Sequence, residues 1–175
     1  MNFEERLAKQ RDDLVAKWAD LIFGSYPEET RRIWKRQTDQ FANPVGCAIN
    51  ECAAALFDLT LAWEDAQAIG ENLERLVKIR AIQDFSASQA INFVFGLKKI
   101  LRDEYFDELK RAGELDQLLA FEARVDNLAL MAMDLYAKSR ESIYEMRVKE
   151  VKSAQYNLLR RARMIVDQTA KGAEE

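Results

Sequence analysis

The most regular pattern of apolar positions lies in the C-terminal third of the chain. No proline or glycine occurs between Gly113 and Gly172. Apolar side chains recur there at steps of three, four or seven, at Leu118, Val125, Ala129, Ala132, Tyr136, Ile143 and Met146. Such steps place side chains on one stripe of an α-helix. The pattern therefore predicts one long helix that begins at about Glu114.

Helix-start signals divide the rest of the chain into shorter helices. The first helix is predicted from Phe3 to Phe23. Ser25, with Glu28 three positions later, is typical of a capping box that opens a short charged helix. Asn43-Pro44 combines a capping residue with one that suits the first helical position, so another helix is predicted to begin there.

Two more helices are predicted, from Glu71 to Asp84 and from Ala87 to about Asp103. Ser86 and Gln89 form a second capping box at the start of the latter. No segment shows the period of two that is typical of strands. The predicted fold class is all-α: about six helices in a bundle, with a long C-terminal helix. We expect residues 1–147 to form the bundle and residues 148–175 a C-terminal helical extension.

Composition excludes several classes of function. The chain contains no histidine, so it has no imidazole base and no proximal histidine for haem. It also contains no Gly-rich nucleotide-binding motif. No apolar run approaches the roughly 20 residues that span a bilayer, and the N-terminus is charged rather than signal-like. We therefore expect a cytoplasmic protein that is not an enzyme and uses no cofactor or metal.

Charge is unevenly distributed along the chain. Residues 1–137 carry 17 basic and 24 acidic side chains, whereas residues 138–175 carry 9 basic and 6 acidic ones. A basic helix on an acidic body suits a protein partner, and peripheral contact with an anionic membrane is compatible with it. Nucleic acid is not expected, since the isoelectric point is near 5.2. The candidate partner-binding residues are Arg147, Lys152, Arg160, Arg161 and Arg163. The same helix is a candidate for pairing with a second copy of the chain.

The densest polar cluster lies between two predicted helices. Arg80 and Asp84 are four positions apart, so they can pair on one helix face. The free N–H groups of the helix that Ser86 opens favour an anion. The cluster is therefore a candidate junction for a ligand or signal, formed by Asn43, Arg80, Gln83, Asp84, Ser86 and Gln89. The alternative is purely structural: the Arg80–Asp84 pair locks the junction and Ser86 only caps its helix.

Four segments of the sequence carry a recognisable pattern: FANPVG (residues 41–46), RAIQDFSASQAINFVFGLKK (80–99), ARVDNLALMAMDLYAKSRESIYEMRVKEV (123–151), and WADLIFGSYPEET near the start. Together they resemble the RsbRD N-terminal domain family. The resemblance implies a bacterial sensory input module of the kind found in RsbT co-antagonists of the stressosome. It further implies a globin-like fold without haem and a last helix that carries the signal to an output. Because the sequence stops at Glu175, we expect a stand-alone form without a STAS output domain.

Two hypotheses about function follow. The first is a non-catalytic sensory module that acts through protein–protein interaction, with its output through the C-terminal helix. The second is an accessory protein that docks on an anaerobic respiratory or redox complex at the membrane surface. This second hypothesis arises because stand-alone members of the family are similar to small proteins encoded beside anaerobic respiratory genes.

Overall fold

The structure is a bundle of α-helices. It is a computed structural model, and it describes residues 2–36, 39 and 41–162. These residues form seven helices and no strand: α1 (Phe3–Lys9), α2 (Arg11–Gly24), α3 (Glu28–Arg36), α4 (Pro44–Ala62), α5 (Ala66–Ile82), α6 (Ala87–Ala112) and α7 (Leu115–Arg161). The predicted all-α bundle with a long C-terminal helix is confirmed.

The first predicted helix is divided into α1 and α2 at Gln10. The backbone N–H of Gln10 bonds to the carbonyls of Arg6 and Leu7, which ends α1. The Gln10 side chain accepts a hydrogen bond of 2.6 Å from the hydroxyl of Tyr105 on α6. A tertiary contact thus holds the position where the two helices meet, and the continuous apolar stripe of the sequence could not reveal it.

Ser25 ends α2 instead of opening α3. Its hydroxyl donates to the carbonyl of Ile22 at 2.6 Å, and its backbone N–H bonds to the same oxygen at 3.2 Å. α3 begins later, at Glu28. The predicted capping box is therefore wrong, because the hydroxyl satisfies the preceding helix end rather than the following one.

α4 is the central helix of the bundle and packs against both α2 and α5. Its inner face is fully buried, at Ile49, Cys52, Ala53, Leu56 and Phe57. Among the described helices, α4 is the one long and apolar enough to cross a membrane by length and composition. A buried core helix passes the same test, and the packing of α4 accounts for its apolar character.

Asn43 caps α4 as the sequence predicts. Its Oδ1 accepts from the backbone N–H of Gly46 at 2.9 Å, and Pro44 occupies the first turn. The Asn43 side chain is 3% exposed, and its Nδ2 donates to the carbonyl of Trp34 at 2.8 Å. Asn43 therefore joins α3 to α4 as well as starting α4.

Both helices that flank the predicted junction are longer than expected. α5 begins earlier, since the Asp65 side chain accepts from the N–H of Ala68. α6 continues to Ala112 and ends at Gly113, which has a φ of 73°. Glycine adopts this left-handed conformation without steric cost.

α7 contributes to two compact units of the chain. In the first unit, Met1–Ser139, its inner face is buried. The Phe121 ring lies 6.1 Å from the Phe3 ring in an edge-to-face arrangement. The second unit, Arg140–Glu175, is described as far as Ala162, and every side chain from 144 to 162 is exposed. The division after residue 147 that the sequence suggests stays a prediction.

Replacement of Gly46 by alanine tests the α4 cap. A Cβ at this position would lie 2.3 Å from Nδ2 and 2.6 Å from Oδ1 of Asn43, so the capping side chain would have to move. We expect Gly46→Ala to lower the free energy of unfolding by about 1–2 kcal/mol, as lost caps do. Urea denaturation monitored by circular dichroism measures this change.

Gly70→Ala is the matched control for that experiment. Gly70 lies within α5, and a Cβ there would meet no atom within 4 Å. Alanine should raise the free energy of unfolding at this position by about 0.5–1 kcal/mol, because it loses less backbone entropy on folding. Equal effects of the two substitutions would contradict the capping role of Asn43.

Candidate functional site

The side chain of Arg80 joins three helices inside the bundle. It extends from α5 and is only 1% exposed. Its Nη1 donates to the Gln89 carbonyl in the first turn of α6 at 2.9 Å. Its Nη2 donates to the Ser25 hydroxyl at 2.8 Å and, more weakly, to the Ile22 carbonyl at 3.4 Å. One guanidinium group therefore connects the end of α2, the end of α5 and the start of α6.

Three aromatic rings surround this guanidinium group. Its central carbon lies 5.0 Å from the centre of the Phe85 ring, 5.3 Å from that of Phe93 and 5.6 Å from that of Tyr26. Ring faces attract cations within about 6 Å, most strongly where water is excluded. The rings therefore replace part of the hydration that Arg80 loses on burial.

The charge of Arg80 has no carboxylate partner among the described residues. Burial lowers the pKa of Arg80 below its ordinary value, and Tyr26 opposes this shift weakly. The Nε of Arg80 is buried without a hydrogen-bond partner in the described part of the chain. The C-terminal carbonyls of α2 carry a partial negative charge that favours a cation. Dipoles and rings thus stabilise this charge, and an ion pair does not.

Tyr26 is the second buried polar group of the site. Its hydroxyl has no hydrogen-bond partner among the described residues. Its ring lies 5.4 Å from that of Phe85 and 4.9 Å from that of Trp34 on α3. Burial raises the pKa of Tyr26 above its ordinary value, and the nearby Arg80 charge opposes that shift.

Among the six predicted junction residues, Arg80 and Gln89 are brought into direct contact, through the main chain of Gln89. Asn43 lies one layer away, since it bonds to the carbonyl of Trp34, whose ring packs on Tyr26. The predicted junction therefore extends to α3 and α4 through aromatic contacts.

The other three junction residues lie at the surface. Gln83 ends α5 and is exposed, as is Asp84, which has a left-handed φ of 58°. The expected Arg80–Asp84 ion pair does not form, because Arg80 turns into the bundle. Ser86 is exposed and forms the predicted capping box with Gln89.

Three polar residues of the site were missed by sequence reasoning: Ser25, Tyr26 and Tyr136. Tyr136 is 7% exposed on α7, and its hydroxyl donates to the carbonyl of Phe85. The sequence pattern placed Tyr136 on the apolar stripe of α7 and gave no sign of this bond. The only signal in the sequence was that the Tyr136 hydroxyl lies at a position that the apolar pattern of α7 places in the core.

A second buried charge lies between α6 and α7, and it is paired. Glu122 is 3% exposed and accepts from Nε and Nη2 of Arg102 at 2.5 and 2.6 Å. Lys98 lies 3.5 Å from Glu122 and 2.9 Å from Asp126. Such forked Arg–carboxylate pairs are geometrically specific. This cluster fastens the two helices together and differs from Arg80 in having its counter-charge.

The candidate partner-binding residues that the structure describes are all exposed on α7. They are Arg147, Lys152, Arg160 and Arg161. Arg163, the fifth candidate, lies outside the described residues. Exposed apolar side chains accompany them on the same stretch of α7, including Tyr144, Val148, Val151 and Leu158.

No group of three or more Cys, Asp or Glu residues among the described side chains is arranged to hold a metal ion. Cys52 is buried and Cys47 is half-buried. The class of protein defined here is an all-α module with a buried cation at its centre and a basic, partly apolar C-terminal helix.

The chain belongs to the family of the RsbT co-antagonist protein rsbRD N-terminal domain, whose family model matches residues 12–151. This is a family of signalling input domains and not a known enzyme family. No curated protein and no solved structure matches the chain significantly. The globin-like arrangement implied by the sequence resemblance therefore stays a prediction.

Removal of the Arg80 side chain tests its role in joining the helices. Arg80→Ala leaves a cavity between Tyr26, Phe85 and Phe93 and removes the bonds to Ser25 and Gln89. We expect a loss of about 2–4 kcal/mol in the free energy of unfolding. Urea denaturation of the full chain measures it.

Lys78→Ala is the matched control on the same helix. Lys78 is exposed on α5. Substitutions at exposed positions of this kind change stability by about 0.5 kcal/mol or less, so the control should change stability little. Similar losses for the two variants would contradict a special role for Arg80.

The pH dependence of stability tests the burial of Tyr26. Because its pKa is raised in the folded state, its contribution to stability is complete below about pH 10 and is lost as the pH rises further. We expect Tyr26→Phe to lose less stability than the wild type as the pH rises above about 10, measured by urea denaturation at a series of pH values.

The stability of the Tyr26→Phe variant at neutral pH is a second test of the same site. Removing a buried hydroxyl that lacks a partner should leave stability unchanged or raise it by about 1 kcal/mol. Tyr105 keeps a raised pKa in both proteins, so a smaller decline should remain in the variant. Identical declines above pH 10 would show that Tyr26 is not buried in the folded protein.

Proposed function

We propose that the chain is a non-catalytic sensory module that receives a signal at the junction around Arg80 and transmits it to a partner protein through α7. Membership of a family of signalling input domains supports the general role. The proposal adds a receiving site, a coupling contact and an output surface within this chain.

The observation that carries the proposal is the hydrogen bond from Tyr136 to the Phe85 carbonyl. Phe85 belongs to the junction, since its ring lies 5.0 Å from the Arg80 guanidinium carbon and its N–H bonds to the Arg80 carbonyl at 3.3 Å. Tyr136 lies on α7 only three residues before the end of the first compact unit. The junction is thus bonded directly to the proposed output helix.

The energetics of Arg80 suit a receiving site. A buried charge without a carboxylate partner costs free energy that dipoles and rings recover only in part. An anionic ligand or acidic side chain that reaches the junction would bind this guanidinium more strongly than neutral carbonyls do. Such a group can shift the equilibrium between two packing arrangements of the junction. The size of the shift equals the difference between its binding free energies for the two arrangements.

The output part of the proposal uses the exposed basic stretch of α7. Between 140 and 161 this helix carries six basic and three acidic residues. The partner would contact Arg147, Lys152, Arg160 and Arg161. Association with a second copy through the same helix, a cytoplasmic location, and the accessory role on a respiratory or redox complex stay predictions.

Affinity capture with the tagged full-length chain, performed in its native cells and read by mass spectrometry, tests the proposal. We expect Arg161→Glu to reduce capture of the principal protein partner severalfold, because it reverses the charge of the output surface. Tyr136→Phe should also change capture, since it removes the bond between the junction and α7.

Arg32→Glu is the matched charge reversal at an exposed position on α3, and it should leave capture unchanged. Unaltered capture by Arg161→Glu would exclude α7 as the output. Unaltered capture by Tyr136→Phe would exclude the Phe85 contact as the coupling step. Failure of every variant and of the wild type to retain a protein would contradict the interaction function itself.

A further inference from the structure

The exposed half of α7 carries a stripe with the spacing of a coiled coil. Tyr144, Val148, Val151, Gln155, Leu158 and Ala162 follow one another at alternating steps of four and three. In a helix, this spacing places all six side chains on one seam. Residues 115–161 are a continuous α-helix, and the side chains of this seam are exposed. In the described part of the chain, the seam is therefore an exposed, mainly apolar face of almost three heptads.

The charges beside the seam have mainly one sign. With Val148 at the first position of the heptad, Arg147, Lys152 and Arg161 occupy the positions that flank the seam. Charged residues at these positions set the choice of partner in coiled coils. From Arg147 onward, the flanking charges of the described helix are all basic. Glu150 falls on the outer face.

A second copy of this helix is a poor occupant of the seam. In a parallel pair, Arg147 would lie opposite Lys152 of the second copy, and the symmetry would repeat that contact. In an antiparallel pair, equivalent flanking positions meet, so Arg147 and Arg161 would face only basic or uncharged side chains of the second copy. Only the first heptad, with Arg140 and Glu145, offers opposite charges to a parallel copy. Like charges across a helix pair act against association.

We infer that the seam binds an acidic amphipathic helix of a different protein. Such a helix would bury its apolar stripe against Val148, Val151 and Leu158, and its flanking glutamates would meet Arg147, Lys152 and Arg161. The polar Gln155 at a seam position would favour one register and one orientation. This inference rests on the proposed output role of α7 and names the chemistry of the partner.

The chain provides matched controls for this inference. Lys149 and Arg160 are exposed on the same helix but lie away from the seam, at the second and sixth heptad positions. Lys149 and Lys152 thus differ in position and not in charge, and Arg160 and Arg161 form a second such pair. A general attraction to acidic molecules would involve all four residues equally, whereas a seam involves only Lys152 and Arg161.

The test uses the full-length chain and two synthetic amphipathic peptides of about four heptads each, a length at which helices become stable in association. Both peptides carry valine and leucine on the seam; one carries glutamate and the other lysine at every flanking position. Fluorescence anisotropy of the labelled peptides gives the affinities, and sedimentation equilibrium gives the association state of the chain.

We expect the glutamate peptide to bind at least about tenfold tighter than the lysine peptide, with a preference that shrinks as salt is added. Lys152→Glu and Arg161→Glu should each reduce the preference, whereas Lys149→Glu and Arg160→Glu should leave it nearly unchanged. Val151→Asp should weaken binding of both peptides.

Three results would overturn the inference. They are equal affinity for the two peptides, equal effects of Lys149→Glu and Lys152→Glu, and self-association of the chain that Val151→Asp abolishes while neither peptide binds. If the peptides fail but Arg161→Glu still reduces capture of the cellular partner, the output role of α7 stands and only the acidic-helix chemistry is wrong. If capture is also unaffected, the output role fails as well.

Discussion

The bundle depends on the placement of one positive charge where water cannot reach it. Arg80 is almost completely buried, yet its contacts in the described structure are two carbonyls, a hydroxyl and three aromatic rings. None of these groups carries a full negative charge. The stability of the buried guanidinium therefore depends on the positions of its neighbours. The C-terminal end of α2 must point at it, and the rings of Phe85 and Phe93 must lie beside it.

This constraint ties together segments that are distant in the sequence. The chain around Ser25 and Tyr26 meets the junction between α5 and α6, and Trp34 and Asn43 extend the contact to α3 and α4. Tyr136 adds α7 through the Phe85 carbonyl. A displacement of Arg80 would therefore alter contacts made by six of the seven described helices. Packed cores switch between discrete arrangements and do not deform continuously.

Two charged side chains are buried in the part of the bundle that the structure describes, and they have different physical roles. Glu122 lies between Arg102 and Lys98, so its charge is compensated and its hydrogen bonds fix α6 against α7. Arg80 lacks such a counter-charge, and its Nε has no partner among the described residues. A fully paired group favours a single arrangement, whereas an incompletely satisfied one can gain from a new partner. This difference is the physical reason for proposing the junction at Arg80, and not the α6–α7 cluster, as the receiving site.

Local sequence signals determined most of the helical architecture. The pattern of apolar residues predicted a long C-terminal helix, Asn43-Pro44 predicted the start of α4, and Ser86 with Gln89 predicted the start of α6. These features depend on residues within one or two turns of each other, so the sequence contains the relevant physics. Only the tertiary structure decided where Arg80 points, that Ser25 closes α2, and that Gln10 divides the first helix under a hydrogen bond from Tyr105. Arg80 bonds to Ser25, 55 positions away, and Tyr105 bonds to Gln10, 95 positions away. No local pattern specifies contacts over such distances. The sequence thus established the helices, their basic C-terminal stretch and the position of the junction, whereas packing decided which of its polar side chains became the buried centre.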